Sequence, residues 1–257
     1  MSSITPEGWH ARFRQQAGWT HALRRHLFDQ IGLQPGARIL EPGCGTGAVL
    51  GEVATIGEPH VFGLDLNPEY LRLSRENASA AHLAAGDAYA LPYASRSFDV
   101  TYCHFLLLWV EDPAKVVEEM VRVTSKGGWV LLLAEPDYGG RIDYPQELEF
   151  LGKYQTAALR HQGADPEIGR RLTHLLVNAG LLNIQGGVLG GMWAGSPSPA
   201  DWEMEWAILR DDLDQLGPTQ GLDGIEIDAL KNADHRAWQR GERVLFVPTF
   251  YAAGKKG

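Results

Sequence analysis

The 257 residues predict a doubly wound α/β fold, with a seven-stranded, mostly parallel sheet covered by helices on both faces. Three observations carry that prediction. Short apolar runs alternate with segments of helical periodicity from residue 37 to 136, the pattern of repeated strand-helix-strand units. A glycine turn, Gly43-Cys44-Gly45-Thr46-Gly47, follows the first apolar run at once. Acids fall at the ends of the early strands: Glu41, Asp65 and, after Gly86, Asp87.

Residues 1–36 form an N-terminal helical flap. Trp9, Phe13, Trp19, Leu23, Leu27, Phe28 and Ile31 recur at helical spacing, and Gly32, Pro35 and Gly36 end the run. Ile39 and Leu40 open the first strand of a core spanning residues 37–136. The turn after it needs glycine because its backbone enters conformations closed to a Cβ and a ligand must approach the main chain. A helix with Ala48, Val49, Val53 and Ile56 on one face is expected to reach Gly57. His60 to Leu64 form the second strand, ending at Asp65, and Asn67-Pro68 supply an N-cap and a first helical residue. His82 to Ala85 and Phe98 to Cys103 are the third and fourth strands. Asp112-Pro113 open a helix with Val116, Val117, Met120 and Val121 on one face, closed by Gly127-Gly128, and Trp129 to Ala134 are the fifth strand. Right-handed crossovers between these strands make the sheet parallel.

The remainder is expected to hold helical insertions at 137–180 and 195–242 and two closing strands at 181–193 and 243–252, all within one domain over 1–257. Asp165-Pro166 and Ser198-Pro199 mark helix starts, the second leading to Trp202, Trp206 and Leu209.

Composition narrows the function. A net charge of −9 and a pI near 5.5 disfavour a nucleic-acid partner, which calls for a basic face. No apolar run approaches the ~18 residues of a membrane span, and no apolar leader opens the chain, so a cytoplasmic protein is expected. Two cysteines, Cys44 and Cys103, lack metal-ligand spacing, so no metal site and no disulfide is expected. The glycine turn alone leaves two ligand classes open, because Gly43-x-Gly45-x-x-Ala48 also satisfies the dinucleotide fingerprint. An acid about 20 residues beyond such a turn suits a ribose diol in either case.

Glu41-x-Gly43-x-Gly45-x-Gly47, then Asp65, Gly86-Asp87, Phe98-Asp99-Val100 and Lys126-Gly127-Gly128 in that order resemble the class I S-adenosylmethionine-dependent methyltransferases. Among these the chain is most similar to small-molecule enzymes of the ubiquinone/menaquinone-biosynthesis type. The resemblance covers residues 37 to 135 firmly and the closing strands loosely. It implies a Rossmann-like sheet with its last strand antiparallel, S-adenosylmethionine as cofactor and S-adenosylhomocysteine as product. Carried onto these positions, it implies that Glu41 orders the glycine turn and holds the methionine amino end, while Gly43, Cys44 and Gly45 pass beneath the methionine portion. Asp65 takes the ribose hydroxyls, Leu66 lies on adenine, and Asp87 and Ala88 hydrogen-bond its edge. Cys103 and His104 face the sulfonium.

The acceptor implied is a small, partly apolar molecule. A sulfonium is already an activated leaving group, so alignment and exclusion of water dominate, and only a neutral hydroxyl acceptor requires a base. His104, Asp137, Tyr138 and His161 are the candidate bases, with Asp137, Tyr138 and Arg141 as acceptor contacts after the fifth strand. No Asn-Pro-Pro-Tyr element follows the fourth strand, which disfavours amide or adenine nitrogen as acceptor, and no acidic cluster marks a magnesium-dependent catechol enzyme. An oxidoreductase using NAD(P) and a catalytically silent S-adenosylmethionine-binding protein are the competing readings.

Overall fold

The computed structural model describes residues 4–189, 197–216 and 224–257. The chain opens with α1 (Pro6–Gln30), whose Thr5 cap accepts from the Gly8 N–H at 3.2 Å. The core follows as β1 (Arg38–Pro42), α2 (Leu50–Val53), β2 (His60–Asp65), α3 (Pro68–Asn77), β3 (His82–Ala85), β4 (Phe98–His104), α4 (Pro113–Val123) and β5 (Thr124–Pro136). Beyond it come β6 (Ile142–Tyr144), α5 (Glu149–His161), α6 (Leu172–Asn178), β7 (Leu182–Leu189), α7 (Pro199–Leu216), α8 (Gly224–Gln239), β8 (Val244–Phe246) and β9 (Thr249–Lys255).

The strands form one seven-stranded sheet in the order β3-β2-β1-β4-β5-β9-β7. The first five are parallel, while β9 runs antiparallel to both β5 and β7, so the expected antiparallel last strand is present. Period-two alternation divides the core between two faces. Leu131 and Leu133 of β5 join Leu27 and Phe28 of α1 on one side, and Val130 and Leu132 join Val116, Met120 and Leu172 on the other. A third cluster lies in the insertions, where Leu148, Leu151 and Ala158 pack on Trp206, Leu209, Leu213 and Ile227. No described helix is long and apolar enough to cross a membrane.

Several expected boundaries move. The helix after the glycine turn is regular only over Leu50–Val53, and it is packed so closely that a Cβ on Gly51 would stand 2.5 Å from the Asn77 carbonyl oxygen. Helix α4 ends at Val123 rather than at the glycine pair, because Gly127 and Gly128 fall in the irregular start of β5. The last strand expected from Arg243 is two strands. Val244–Phe246 pairs with β6, a strand the sequence pattern did not reveal, and Thr249–Lys255 enters the sheet; Pro248, with no N–H to give, lies at the break. Residues 190–193 of the expected sixth strand, with 195–196 and 217–223 of the expected insertion, lie outside the described residues.

Candidate functional site

The carboxyl ends of β1, β2 and β4 form a rim on which the glycine turn sits. Gly43, Gly45 and Gly47 all have positive φ, at 69°, 52° and 79°. A Cβ at Gly43 would lie 2.7 Å from Leu106, and one at Gly47 would lie 2.7 Å from Ser74 Oγ, so glycine is required on two grounds. Register explains how the turn is tied. Glu41 and Pro42 lie opposite Gly63 and Leu64, which brings the next residue, Asp65, against the turn. Its Oδ2 accepts from the Gly45 N–H at 2.8 Å and its Oδ1 from the Asn67 N–H at 2.8 Å, while the Cys44 N–H donates to the Leu64 carbonyl. The tie therefore runs through Asp65, not through Glu41, whose Oε2 instead accepts from the Tyr102 hydroxyl at 2.8 Å.

Two cavities meet above this rim. The larger, about 590 Å³, is floored by Glu41, Gly43, Cys44, Gly45 and Asp65, roofed by Trp9, Phe13 and Gln16 of α1, and bordered by Tyr70, His104 and Tyr138. It reaches Asp211, Asp212 and Gln215 of α7. The smaller, about 360 Å³, lies between α1 and the insertions and is walled by Trp19, Trp202, Trp206 and Trp238 with Arg141 and Arg243. Arg12, Gln16, Phe105, Pro136, Tyr138 and Gln155 line both. Phe105, at this junction, has a φ of +52°, a conformation that few non-glycine residues adopt and that clusters at functional sites. Its loop is held by the buried Glu135 carboxylate, which accepts from the N–H groups of Leu106, Leu107 and Leu108 at 2.9, 2.8 and 3.3 Å.

Burial governs the electrostatics. It pushes the Glu41 carboxyl up to about 8, against the lowering effect of the Tyr102 hydroxyl, and it raises Glu135 to about 8 despite three backbone donors. Asp65 is raised by burial too, and the N–H groups of Asn67 and Gly45 oppose the shift. His104 is held well below the usual imidazole range by burial and by the nearby Arg24 guanidinium, so it is neutral at pH 7; its Nε2 lies 2.8 Å from Thr20 Oγ1. Burial raises the Tyr138 phenol, which keeps its proton.

A pH dependence follows. Both glutamates lie near 8 in the fold against an ordinary 4.5, so between these values the unfolded chain has released protons that the folded chain retains. Stability is therefore complete below about pH 4.5 for these two groups and declines as pH rises towards 8, by at most about 1.4 kcal/mol per unit for each. Urea unfolding at pH 5.5 and 7.5 is expected to show that decline, and Glu41→Gln should remove the Glu41 share. Identical slopes for wild type and variant would contradict the burial of an acid at this position.

Of the residues singled out in the sequence, Glu41, Gly43, Cys44, Gly45, Asp65, His104 and Tyr138 share the larger cavity, and Tyr138 and Arg141 the smaller. Leu66, 74% exposed, and Asp87 lie at the strand ends outside both walls, and Asp87 Oδ1 accepts from the Tyr89 N–H at 2.9 Å in a turn. Ala88 packs beside the second core cluster. Cys103 is a correction: with Tyr102 and His104 on the α1 face, alternation puts Cys103 on the opposite one, fully buried among Leu107, Val116 and Val117. Asp137 is another, since its buried carboxylate is held by Arg170 at 2.5 and 2.7 Å. His161 is exposed and lines neither cavity.

The sequence reading missed Arg12, Gln16, Thr20 and Arg24, which stand four residues apart on α1 and form a polar stripe facing inward. Arg24 is fully buried, donating to Thr20 Oγ1, to the Ala17 carbonyl at 2.8 Å and to Glu52. The spacing was legible, but the tryptophans and leucines beside it drew the amphipathic reading. Asp143, Asp234 and Arg243 carried no sequence signal, being far apart in the chain.

Residues 40–132 match the family model described as a methyltransferase domain. A demethylmenaquinone methyltransferase of Renibacterium salmoninarum is 36% identical over 124 residues, which cover 48% of this chain and 52% of that protein. An uncharacterized 37.1 kDa protein in transposon TN4556 of Streptomyces fradiae is 33% identical over 177 residues, covering 65% of this chain and 51% of that one. The chain thus spans about half the length of these curated relatives. Among solved structures, a putative methyltransferase of Bacillus halodurans superposes with a TM-score of 0.59 at 17% identity, covering 90% of this chain and 97% of that one, a likeness of fold.

Proposed function

We propose, from the premise that this chain carries a class I methyltransferase domain, that it transfers a methyl group from S-adenosylmethionine to a small, partly apolar organic acceptor. The observation that supports this best is the meeting of two cavities at Phe105 and Tyr138, one floored by the glycine turn with two acids and the other walled by tryptophan. The donor set suits the cofactor: the acids Glu41 and Asp65 offer oxygens to its ammonium and its ribose hydroxyls, a bound ammonium would favour loss of the Glu41 proton, and a turn of glycines allows close approach to the main chain. In this proposal Glu41, Gly43, Cys44 and Gly45 hold the methionine end, Asp65 the ribose, and Leu66, Asp87 and Ala88 the adenine.

When bound, S-adenosylmethionine supplies a methyl group on a sulfonium, and transfer to an acceptor X–H yields X–CH3, S-adenosylhomocysteine and a proton. The chain's part is alignment. Cavity walls that aligned the acceptor atom with the donor methyl group and excluded water would suffice, so no covalent enzyme intermediate is needed. His104, neutral and steadied by Thr20, would polarise the acceptor X–H by hydrogen bonding, its charged form being disfavoured by burial and Arg24, and Tyr138 would orient the acceptor. The insertions at 137–180 and 195–242 serve as the acceptor side of one domain. A nicotinamide dinucleotide would call for a second mononucleotide half, where this sheet has β9 antiparallel between β5 and β7.

Calorimetric titration with S-adenosylhomocysteine and with NAD tests the cofactor, and transfer of labelled methyl to a panel of small acceptors tests the activity. Binding of S-adenosylhomocysteine with turnover on one acceptor class is expected. NAD binding without any response to S-adenosylhomocysteine would overturn the proposal, and tight cofactor binding with a silent panel would make the chain a binder only.

A further inference from the structure

The smaller chamber is unusual in its charges. Arg12, Arg141 and Arg243 present three guanidinium groups at or just behind its wall, each nearly buried, with side chains 8%, 6% and 1% exposed. An isolated guanidinium there would mark a pocket for a carboxylate or phosphate. None of the three is isolated. Arg12 is paired with Glu205, and Arg141 meets Asp143 at 2.6 Å. Arg243 bridges Asp143 at 2.6 Å and Asp234 at 2.5 Å. Three positive charges thus meet three negative ones within the described residues. Asp234 also accepts from the indole N–H groups of Trp202 and Trp206, at 2.7 and 2.9 Å, so the polar edges of both rings point at the ion lattice.

Two polar side chains stand outside this lattice. The Tyr138 hydroxyl and the Gln16 amide line both cavities at their junction, and neither makes a side-chain hydrogen bond among the described residues. Both groups donate and accept. Among the described residues that line the chamber, an anionic acceptor would find no unpaired cation and would crowd Glu205 and Asp234; a cationic one would find no unpaired acid and would crowd three guanidiniums. A molecule without charge meets aromatic surface on its flanks and two ready hydrogen-bonding groups at its head.

We propose that the smaller chamber selects an uncharged, ring-bearing molecule, held by its polar atom between Gln16 and Tyr138, with Gln16 a specificity-determining residue. The inference rests on the methyl-transfer reading only in calling this molecule the acceptor; the selectivity stands on the chamber itself. An acid group there would need to break a pairing already made, which lowers affinity by the discrimination a site with paired buried charges imposes.

The test uses the full chain, with and without S-adenosylhomocysteine, and three isosteric probes at pH 7: 4-phenylbenzyl alcohol, biphenyl-4-carboxylate and 4-phenylbenzylammonium. Binding is read by tryptophan fluorescence and calorimetry. The alcohol is expected to bind at least about tenfold more tightly than either ion. Glu205→Gln, which leaves Arg12 without its acid, is expected to improve the carboxylate about tenfold while leaving the alcohol within about twofold. Gln16→Leu is expected to weaken the alcohol about fivefold and leave plain biphenyl unchanged, with circular dichroism confirming the fold. Equal or tighter binding of either ion to the wild-type chain overturns the proposal, as does a Glu205→Gln variant with no gain for the carboxylate. Preference for the alcohol in a chain that ignores S-adenosylhomocysteine supports the chamber's selectivity and removes the methyl-donor reading instead.

Discussion

In an Asp65→Ala variant the dissociation constant for S-adenosylhomocysteine rises at least about 100-fold. The carboxylate ties the glycine turn to the residues that follow β2, with one oxygen accepting from the Gly45 N–H and the other from the Asn67 N–H, both at 2.8 Å. Hydrogen bonds to a charged group are worth about 1.5–3 kcal/mol each at most, and each 1.4 kcal/mol is about tenfold in affinity. Alanine removes both ties and, on the proposed reading, the ribose acceptor as well. The three positive-φ glycines then regain conformational freedom that cofactor binding must remove again. Asp65→Asn keeps one acceptor oxygen and should fall between the two. Calorimetry on variants whose circular dichroism matches wild type decides the matter, and an unchanged dissociation constant for the alanine variant would refute Asp65 as the organiser of this site.

Arg243→Met is expected to cost about 3–5 kcal/mol of folding stability, the range found when one partner of a buried ion pair is removed. Arg243 is 6% exposed overall and is held on all sides: by Asp143 and Asp234 through its side-chain nitrogens, and by the carbonyls of Tyr144 and Val244. Methionine fills much of the volume but leaves two buried carboxylates short of a donor. Asp143 keeps Arg141, and Asp234 keeps two indole N–H groups, which limits the loss. The network joins the β6–β8 ribbon to α7 and α8, so the loss falls on the helical insertions that carry the tryptophan wall. Urea unfolding gives the measurement. A change under about 1 kcal/mol would mean that water, not burial, surrounds these charges.

Alternation and helical periodicity placed the five parallel strands, the N-terminal helix and the caps at Asn67 and Asp112 without reference to anything distant. The same local logic, applied strictly, would have separated Cys103 from His104, since neighbours on a strand face opposite ways. The polar stripe from Arg12 to Arg24 was equally open to reading. Other features had no local trace. Glu135 looks like the end of an apolar strand, and only the path of the chain brings the loop after β4 onto its carboxylate. Asp137 looked available to a ligand until the short turn before α6 supplied Arg170.

By itself the sequence determined the strand and helix succession of the core over residues 37–136, the glycine turn and the acids beside it, because backbone sterics and period are properties of a few adjacent residues. The tertiary structure alone decided which acid ties the turn, which arginines are already neutralised and where the two chambers meet. Those outcomes depend on side chains tens to hundreds of residues apart being desolvated together, and a charge's effect is set by the partners it finds once water has left.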